Sequence, residues 1–319
     1  MFAAEVILVI ISLVAILFNL VTLYIVGVRL RLHGIDLVLM ALVAVLDMLV
    51  SANSLARIIG IWASWLVVNN SPQWWCEWDS TVMLTLTQTS LETVAALGLL
   101  RYLAICQGRV VGWVTWACVV LVSFVSSMLL NLGFTGYESS FMWSKSGLVC
   151  LPFTIKGLPN HRYFTAWLGL LFTRFFAALF IIVFCYSNVT LSYRRLLSSS
   201  MASKHSSSQM FGSPVDPKLK RRRMHVTLQL VGIAFGYIVC MLPDIGIALC
   251  FLLDKTDISK YTMAFSHSLF AATAVVSPLF VLVAHDPSRR ELKICLSRWS
   301  PRPAHPHSQR LETFPYRQY

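Results

Sequence analysis

The sequence predicts an all-α membrane protein, a bundle of seven transmembrane helices followed by a short amphipathic helix at the membrane surface. Three observations predict this class. The composition suits a bilayer, because 57% of the 319 residues are hydrophobic, 13% are charged and the mean hydropathy is +0.69, whereas a soluble domain carries about 25% charged residues. Seven apolar stretches are long enough to cross a membrane. The basic residues concentrate in alternate linkers between these stretches.

The seven predicted spans each approach or exceed the roughly 20 residues that a helix needs to cross the hydrocarbon core. They form one membrane domain, residues 1–284, with very short linkers at 29–35 and 106–109. The start of the fourth span is blurred by Gly112, Trp113 and Trp116. The predicted spans are 5–28, 36–60, 75–105, 110–133, 163–193, 224–253 and 260–284.

The third span carries a run of small polar residues that a lipid-facing helix would have little reason to contain. Hydroxyl and amide side chains form hydrogen bonds across helix interfaces inside a bundle. We therefore expect this helix at the centre of the bundle, with Cys76 at its outer end and Arg101 at its inner end. The polar run comprises Thr81, Thr85, Thr87, Gln88, Thr89 and Ser90.

The net charge of +12 is distributed as the orientation of a membrane protein requires. Cytosolic loops carry an excess of Lys and Arg, so the N-terminus is predicted to lie outside and the C-terminus in the cytosol, at the plasma membrane. Because the basic residues sit in short loops between apolar spans, we expect membrane lipids and no nucleic acid as partners. The richer side has Arg29, Arg31, Arg101, Arg109, Arg194, Arg195, Lys204, the 218–223 cluster and seven residues after the last span. The poorer side has Arg57, Lys145, Lys156, Arg162, Lys255 and Lys260.

The residues after the seventh span predict a short interfacial helix, 288–297, that Ser288 can cap. Leu292, Cys295 and Leu296 would share its apolar face. Cys295 could be acylated there, or it could equally be a reduced cytosolic thiol. The tail 298–319 is rich in Pro, His and Arg and is predicted to be disordered.

The sequence contains none of the common redox, metal-binding or nucleotide-binding motifs that we searched for. We find no CxxC, HExxH, P-loop or GxGxxG pattern, so we expect no enzyme. Internal repeats and paired broken helices, which are typical of transporters, are not evident either.

Several motifs, in order and with matching spacing, resemble the rhodopsin-like (class A) G-protein-coupled receptors. Cys76 and Arg101 are 25 residues apart, and Tyr102 follows the arginine. The segment Tyr237–Pro243, YIVCMLP, resembles the sixth-helix FxxCWxP, and Ser277–Val281, SPLFV, resembles NPxxY. The other matching positions are Asn19, Asp47, Cys150 and Tyr186.

The resemblance implies a receptor that binds an extracellular ligand in the outer half of the bundle and activates a heterotrimeric G protein by outward movement of the sixth helix. It also implies a disulfide between Cys76 and Cys150. Residues for activation and G-protein coupling would be Arg101, Tyr102, Tyr186, Pro243 and Pro278. The alternatives are a receptor-like scaffold that does not signal and, less favoured, a small-solute transporter.

The sequence departs from the family pattern at positions that matter for activation. Leu100 stands where an acid usually precedes the arginine, and Met241 stands where a tryptophan is usual. Ser277 and Val281 replace the Asn and Tyr of NPxxY, and Ala178 replaces the fifth-helix proline. These departures keep the non-signalling alternative open.

The resemblance also places a ligand cavity among the outer halves of the helices. Arg174 and Asp244 are costly charges inside spans, so they are expected to compensate one another across the cavity or to bind an ionised ligand. His267 could instead be a hydrogen-bonded core histidine. The implied wall residues are Asp79, Met83, Arg174, Met241, Asp244 and His267.

Asp47 is an ionisable group near the middle of the membrane. The resemblance implies Na⁺ binding with Ser90, and the alternative is a packing node with Asn19 and Ser277. We expect no other metal. Retinal is not expected, because its Schiff base needs a lysine and Ala271 stands at that position.

Overall fold

The computed structural model describes residues 2–32, 34–63, 73–136, 140–143, 150–153, 160–207, 232, 235–250, 253, 258–284, 288–292 and 294. Within these residues, six helices are long and apolar enough to cross a membrane, and a seventh apolar helix is shorter. The predicted fold class, an all-α bundle of seven membrane helices, is confirmed. The calls for Cys295, the tail 298–319 and the basic cluster 218–223 lie outside the described residues.

The elements follow the order of the predicted spans. Helix α1 continues directly into a π-helical segment, and one two-stranded antiparallel ladder lies between α4 and α5. The bounds are α1 Phe2–Leu23, the π-helical segment Tyr24–Arg29, α2 Ile35–Trp62, α3 Gln73–Cys106, α4 Trp113–Gly136, β1 Ser140–Trp143, β2 Cys150–Phe153, α5 Asn160–Ser207, α6 Phe235–Cys250 and α7 Lys260–Ala284.

Helix α3 packs against α2, α4 and α5. All six residues of its polar run are buried, as a central position predicts. The hydroxyl groups of Thr89 and Thr93 donate hydrogen bonds to backbone carbonyls of the same helix. The oxygen–oxygen distances to Thr85 O and Thr89 O are 2.7 Å each. These two hydroxyls are therefore satisfied within the helix. Thr85 and Ser90 form hydrogen bonds to neighbouring helices, with Asn131 of α4 and Asp47 of α2.

Helix α4 lies at the periphery of the bundle, with one face turned inward. Trp116 is buried at 4% exposure, whereas Trp113 is 69% exposed. Trp116 packs in an apolar cluster with Met40 of α2 and Leu97 of α3. The inward tryptophan that the sequence leaves undecided is therefore Trp116. The outward face of α4 carries large aliphatic side chains that suit hydrocarbon, including Val119, Leu121, Val122, Val125 and Leu129.

The β-ladder crosses the end of α3 at which the disulfide lies. Strand β1 pairs with β2 so that Trp143 lies opposite Cys150, and the predicted disulfide between Cys76 and Cys150 is present. Ser80 on α3 donates a hydrogen bond to the Cys150 carbonyl at 2.9 Å. One covalent bond and one hydrogen bond thus hold the ladder against α3. We call this end of the bundle the disulfide end.

Candidate functional site

A cavity of about 170 Å³ lies at the disulfide end between α3, α5, α6 and α7. A water occupies about 10–15 Å³ of such space, so the cavity has room for roughly ten waters or a small organic ligand. Cys150 of the disulfide forms part of its wall. Most of the lining is apolar, and its aromatic members are Phe164, Trp167, Phe172, Phe175 and Phe270.

The structure places four of the six predicted ligand-binding residues in this wall. Met83 comes from α3, Met241 and Asp244 from α6, and His267 from α7. The cavity therefore gathers side chains that are far apart in the sequence. The other two predicted residues, Asp79 and Arg174, are engaged elsewhere.

Asp79 lies behind the wall, where it is bound to Arg57 of α2. Arg57 Nη1 donates to Asp79 Oδ2 at 2.8 Å, and both side chains are 2% exposed. Asn53 Nδ2 donates to the second carboxylate oxygen at 2.7 Å. Asp79 is thus fully occupied in holding Arg57, and Arg57 is the residue that reaches the cavity.

His267 completes this buried group from α7. Its Nε2 lies 3.1 Å from Arg57 Nη2. A guanidinium can only donate hydrogen bonds, so His267 Nε2 accepts, and the imidazole is neutral with its proton on Nδ1. The Arg57–Asp79 ion pair and His267 therefore join α2, α3 and α7 at the disulfide end.

Asp244 faces the cavity from α6. Ser266 of α7 donates a hydrogen bond to its Oδ1. In the part of the chain that the structure describes, Asp244 makes no ion pair. The predicted compensation of Asp244 by Arg174 is therefore wrong.

Arg174 points away from the cavity and pairs with Glu92. Arg174 Nε and Nη2 donate to the two carboxylate oxygens of Glu92 at 2.8 and 2.7 Å, and Nη2 also donates to Ser127 Oγ at 2.8 Å. The physical reason is helix rotation. Successive residues lie about 100° apart around a helix, so Phe175 faces the cavity while Arg174 is turned toward α3 and α4.

Glu92 is further bound on both sides. Ser123 of α4 donates to its Oε2, and Gln88 Nε2 donates to its Oε1 at 2.8 Å. Gln88 also lines the cavity, so the cavity wall is hydrogen-bonded to the Glu92–Arg174 pair. The sequence reasoning missed Glu92 and Arg57. Each is a charge inside a predicted span, and such a residue is a candidate for a buried partner.

Of the four residues predicted for the polar core, Ser90 and Ser277 lie around Asp47, and Asn19 does not contact the carboxylate. Ser90 Oγ donates to Asp47 Oδ1 at 2.6 Å, and the Ser277 hydroxyl lies close to the same carboxylate. Tyr237 Oη and Ser277 Oγ are 2.7 Å apart, which ties α6 to α7. Asn19 instead binds the α7 backbone, through Nδ2 to Ala274 O at 3.1 Å.

Two buried oxygens of this core have no hydrogen-bond partner among the described residues, Asp47 Oδ2 and Asn19 Oδ1. Buried polar atoms are normally satisfied by protein, water or an ion. The residues that could hold a Na⁺ ion are therefore Asp47, Ser90 and Ser277, which supply oxygen atoms. No cluster of three or more His, Cys, Asp or Glu that could hold a metal occurs within the described ranges.

At the opposite end of α3, Arg101 lies beside Tyr186 of α5. The Tyr186 side chain lies near the Arg101 guanidinium. Tyr186 approaches the α3 backbone at Gly98, where an added Cβ would lie 3.1 Å from the ring. Among the residues described, Arg101 makes no ion pair with a carboxylate. Leu100 instead packs in the apolar cluster of Trp116.

The remaining predicted activation residues are in the helices that the resemblance assigns to them. Tyr102 packs against Phe184 of α5, with ring centroids 5.7 Å apart. Pro243 lies within α6 and Pro278 within α7. Val281 is buried in the same cluster as Trp116, so this position of α7 contributes packing and no hydroxyl.

The apolar helices of the described residues, the disulfide from α3 to the ladder before α5, and the cavity at the disulfide end together define a rhodopsin-like fold. The solved structure of squid rhodopsin has this fold, and its comparison with this chain gives a TM-score of 0.74 at 15% identity, over 93% of this chain and 85% of that one. No family model matches the sequence, and no curated protein matches it. At this identity the likeness establishes the fold.

Proposed function

We propose that this protein is a plasma-membrane receptor that binds an extracellular ligand in the cavity and activates a heterotrimeric G protein. Its N-terminus would lie outside and its C-terminus in the cytosol, as the distribution of Lys and Arg requires. The ligand would act by population shift, favouring an arrangement in which α6 moves outward at its cytosolic end.

The observation that supports this proposal most strongly is that α3 takes part in both candidate sites. Met83 lines the cavity, and Arg101 lies beside Tyr186. These residues are 18 positions apart, which is about 27 Å along a helix. One rigid element thus connects a ligand-sized cavity to an arginine that has no acidic partner among the described residues.

Helix α6 is the element that can move in this mechanism. Met241 and Asp244 contact the cavity, and Pro243 between them cannot donate the backbone hydrogen bond that continues a helix. Tyr237, which precedes Pro243 by roughly one and two-thirds turns, is hydrogen-bonded to Ser277. A ligand that shifts α6 at Met241 would therefore bend the helix at Pro243 and strain the link from Tyr237 to α7.

Leu100 and Val281 favour the alternative of a receptor-like scaffold that does not signal. Without an acid at position 100, the local salt bridge that would restrain Arg101 is lost. Without a tyrosine hydroxyl at position 281, α7 offers Arg101 one fewer partner in an active arrangement. The signalling proposal therefore predicts measurable activity without ligand, and the scaffold alternative predicts none.

Replacing Arg101 by alanine tests the signalling proposal. We expect nucleotide exchange on the G protein to fall by about 10- to 100-fold relative to wild type at equal surface expression, because a hydrogen bond to a charged group contributes about 1.5–3 kcal/mol. Arg109→Ala, which removes an exposed arginine at the same end, is the matched control and should retain activity. Equal exchange by wild type and Arg101→Ala, or none by wild type under any condition, would contradict the proposal.

The same proposal includes Na⁺ as a stabilising ion of the polar core, supported by the unpartnered Asp47 Oδ2. An ion that binds only the folded state raises its stability, so the melting temperature should be higher in NaCl than in KCl of equal concentration, by roughly a few degrees. Asp47→Asn should lose this difference. Identical melting temperatures in the two salts would exclude Na⁺ from the core.

A further inference from the structure

The charges around the cavity point to a class of ligand. We propose that the cavity accepts a positively charged amine with an apolar body, and that Asp244 is the carboxylate that binds the ammonium group. This inference rests on the proposed function only in taking the cavity as the ligand site. It follows from the compensation of each charged side chain, from the aromatic wall and from the geometry of Asp244.

Arg57 and Asp244 are the two charged side chains in the described lining. The charge of Arg57 is compensated, because Asp79 accepts from it at 2.8 Å in a pair that is 2% exposed on both sides. His267 also lines the cavity, but as the acceptor of Arg57 Nη2 it is neutral. Among the described residues, the wall and the side chains that support it therefore carry one charge without an ion-pair partner, the carboxylate of Asp244.

Asp244 is placed so that a ligand can reach it. Its Oδ1 is bound to Ser266, a neutral donor, and no lysine or arginine of the described chain pairs with it. A lone carboxylate in an apolar environment is costly. A cation beside it would remove much of that cost, so the free energy of binding would be largest for a ligand that brings a positive charge.

The rest of the wall suits the body of such a ligand. Trp167, Phe175 and Phe270 are aromatic members of the lining, and aromatic faces attract ammonium groups as well as apolar surface. An amine with a hydrocarbon or aromatic body would therefore place its ammonium group against Asp244 and its apolar body against the aromatic wall. A highly polar ligand would leave this wall unused.

An anionic ligand would need a free cation in the wall, and Arg57 does not provide one. Its two Nη atoms are bound to Asp79 and His267. Its Nε has no hydrogen-bond partner among the described residues, but it is buried, so a ligand in the cavity does not reach it. An anion would also be repelled by Asp244. A neutral ligand remains the competing outcome, and the test below separates it from an amine.

Thermal unfolding of the purified full-length protein tests the inference without a natural ligand. The probes are phenylethylamine, phenylpropylamine and phenylbutylamine, each beside the alcohol with the same carbon skeleton. We expect at least one amine to raise the melting temperature while its alcohol does not. Asp244→Asn should weaken amine binding by about 10-fold or more, the effect of removing a charge-assisted hydrogen bond.

Two further variants complete the design. Asp244→Glu keeps the charge and should retain part of the amine effect. Glu5→Gln removes an acid that is bound to Trp62 outside the cavity, so it should leave the amine effect unchanged. If Asp244→Asn does not fold, the comparison of amines with alcohols on wild type and on Asp244→Glu still decides the question.

The inference is overturned if no amine stabilises wild type, if amines and alcohols act equally, or if Asp244→Asn binds amines as wild type does. These results are independent of signalling. If amines bind in a way that depends on Asp244 but no nucleotide exchange depends on Arg101, the receptor proposal is contradicted and the proposal of an amine ligand is supported. If an uncharged ligand activates the G protein and Asp244→Asn does not change this activation, the receptor proposal is supported and the proposal of an amine ligand is contradicted.

Discussion

Replacing Arg57 by alanine is expected to destabilise the folded protein by about 3–5 kcal/mol, the typical cost of breaking a buried ion pair. The change would leave Asp79 as an uncompensated carboxylate at 2% exposure. It would also remove the donor to His267 Nε2. Thermal unfolding in detergent, followed by the reactivity of the buried thiols Cys185 and Cys240, measures the effect.

The double variant Arg57→Met/Asp79→Leu is the control for this prediction. Apolar residues of similar size often replace a buried ion pair without loss of stability, so the double variant should recover most of what Arg57→Ala loses. If the double variant is as unstable as the sum of the two single changes, the pair is not coupled. The structural role of the Arg57–Asp79 pair would then be refuted.

The Glu92–Arg174 pair gives the second large effect. We expect Arg174→Ala to destabilise the protein by less than the about 3–5 kcal/mol that breaking a fully buried ion pair costs, because the two side chains are 21% and 20% exposed. Glu92 would still lose a bidentate partner at 2.7 and 2.8 Å. Arg174→Lys should destabilise the protein less than Arg174→Ala, because an ammonium keeps the positive charge. It should still be less stable than wild type, because an ammonium cannot form the two parallel hydrogen bonds of a planar guanidinium. Surface expression and melting temperature provide the readout.

Charge swaps distinguish the two possible partners of Arg174. The swap Glu92→Arg/Arg174→Glu should recover part of the expression that Arg174→Glu alone loses. The swap Asp244→Arg/Arg174→Glu should recover none, because Asp244 contacts Ser266 of α7 whereas Arg174 contacts Glu92 of α3. Rescue by the Asp244 swap, without rescue by the Glu92 swap, would show that the pairing with Glu92 is incorrect.

The difference between these partners shows where sequence reasoning ends. Sequence reasoning expects partners for Arg174 and Asp244, because an unpaired charge within an apolar span is expensive, and it misses Glu92 and Arg57. It does not give the rotation of each helix about its axis. One residue changes the direction of a side chain by about 100°, so Arg174 could face the cavity or the α3–α4 side with the same periodicity of neighbours.

Arg57 illustrates the same limit at a helix end. The charge distribution counts it with the residues of the outer side, because it lies three positions before the predicted end of the second span. The structure extends α2 to Trp62 and buries Arg57 against Asp79 and His267. Helix ends inferred from sequence are uncertain by a few residues. A shift of that size decides whether a charged residue lies in an exposed loop or is buried within the helix.

The amino-acid sequence by itself determined the membrane class, the helical bundle, the disulfide pair through the family resemblance, and the central position of α3. These features depend on composition, span length and local pattern, which can be read along the chain without knowing how the helices pack. The tertiary structure decided which charges pair, which tryptophan of α4 faces inward, and that Asp244 makes no ion pair with any of the described residues. Those outcomes depend on packing several helices at once, because each rotation is set by all of its neighbours together.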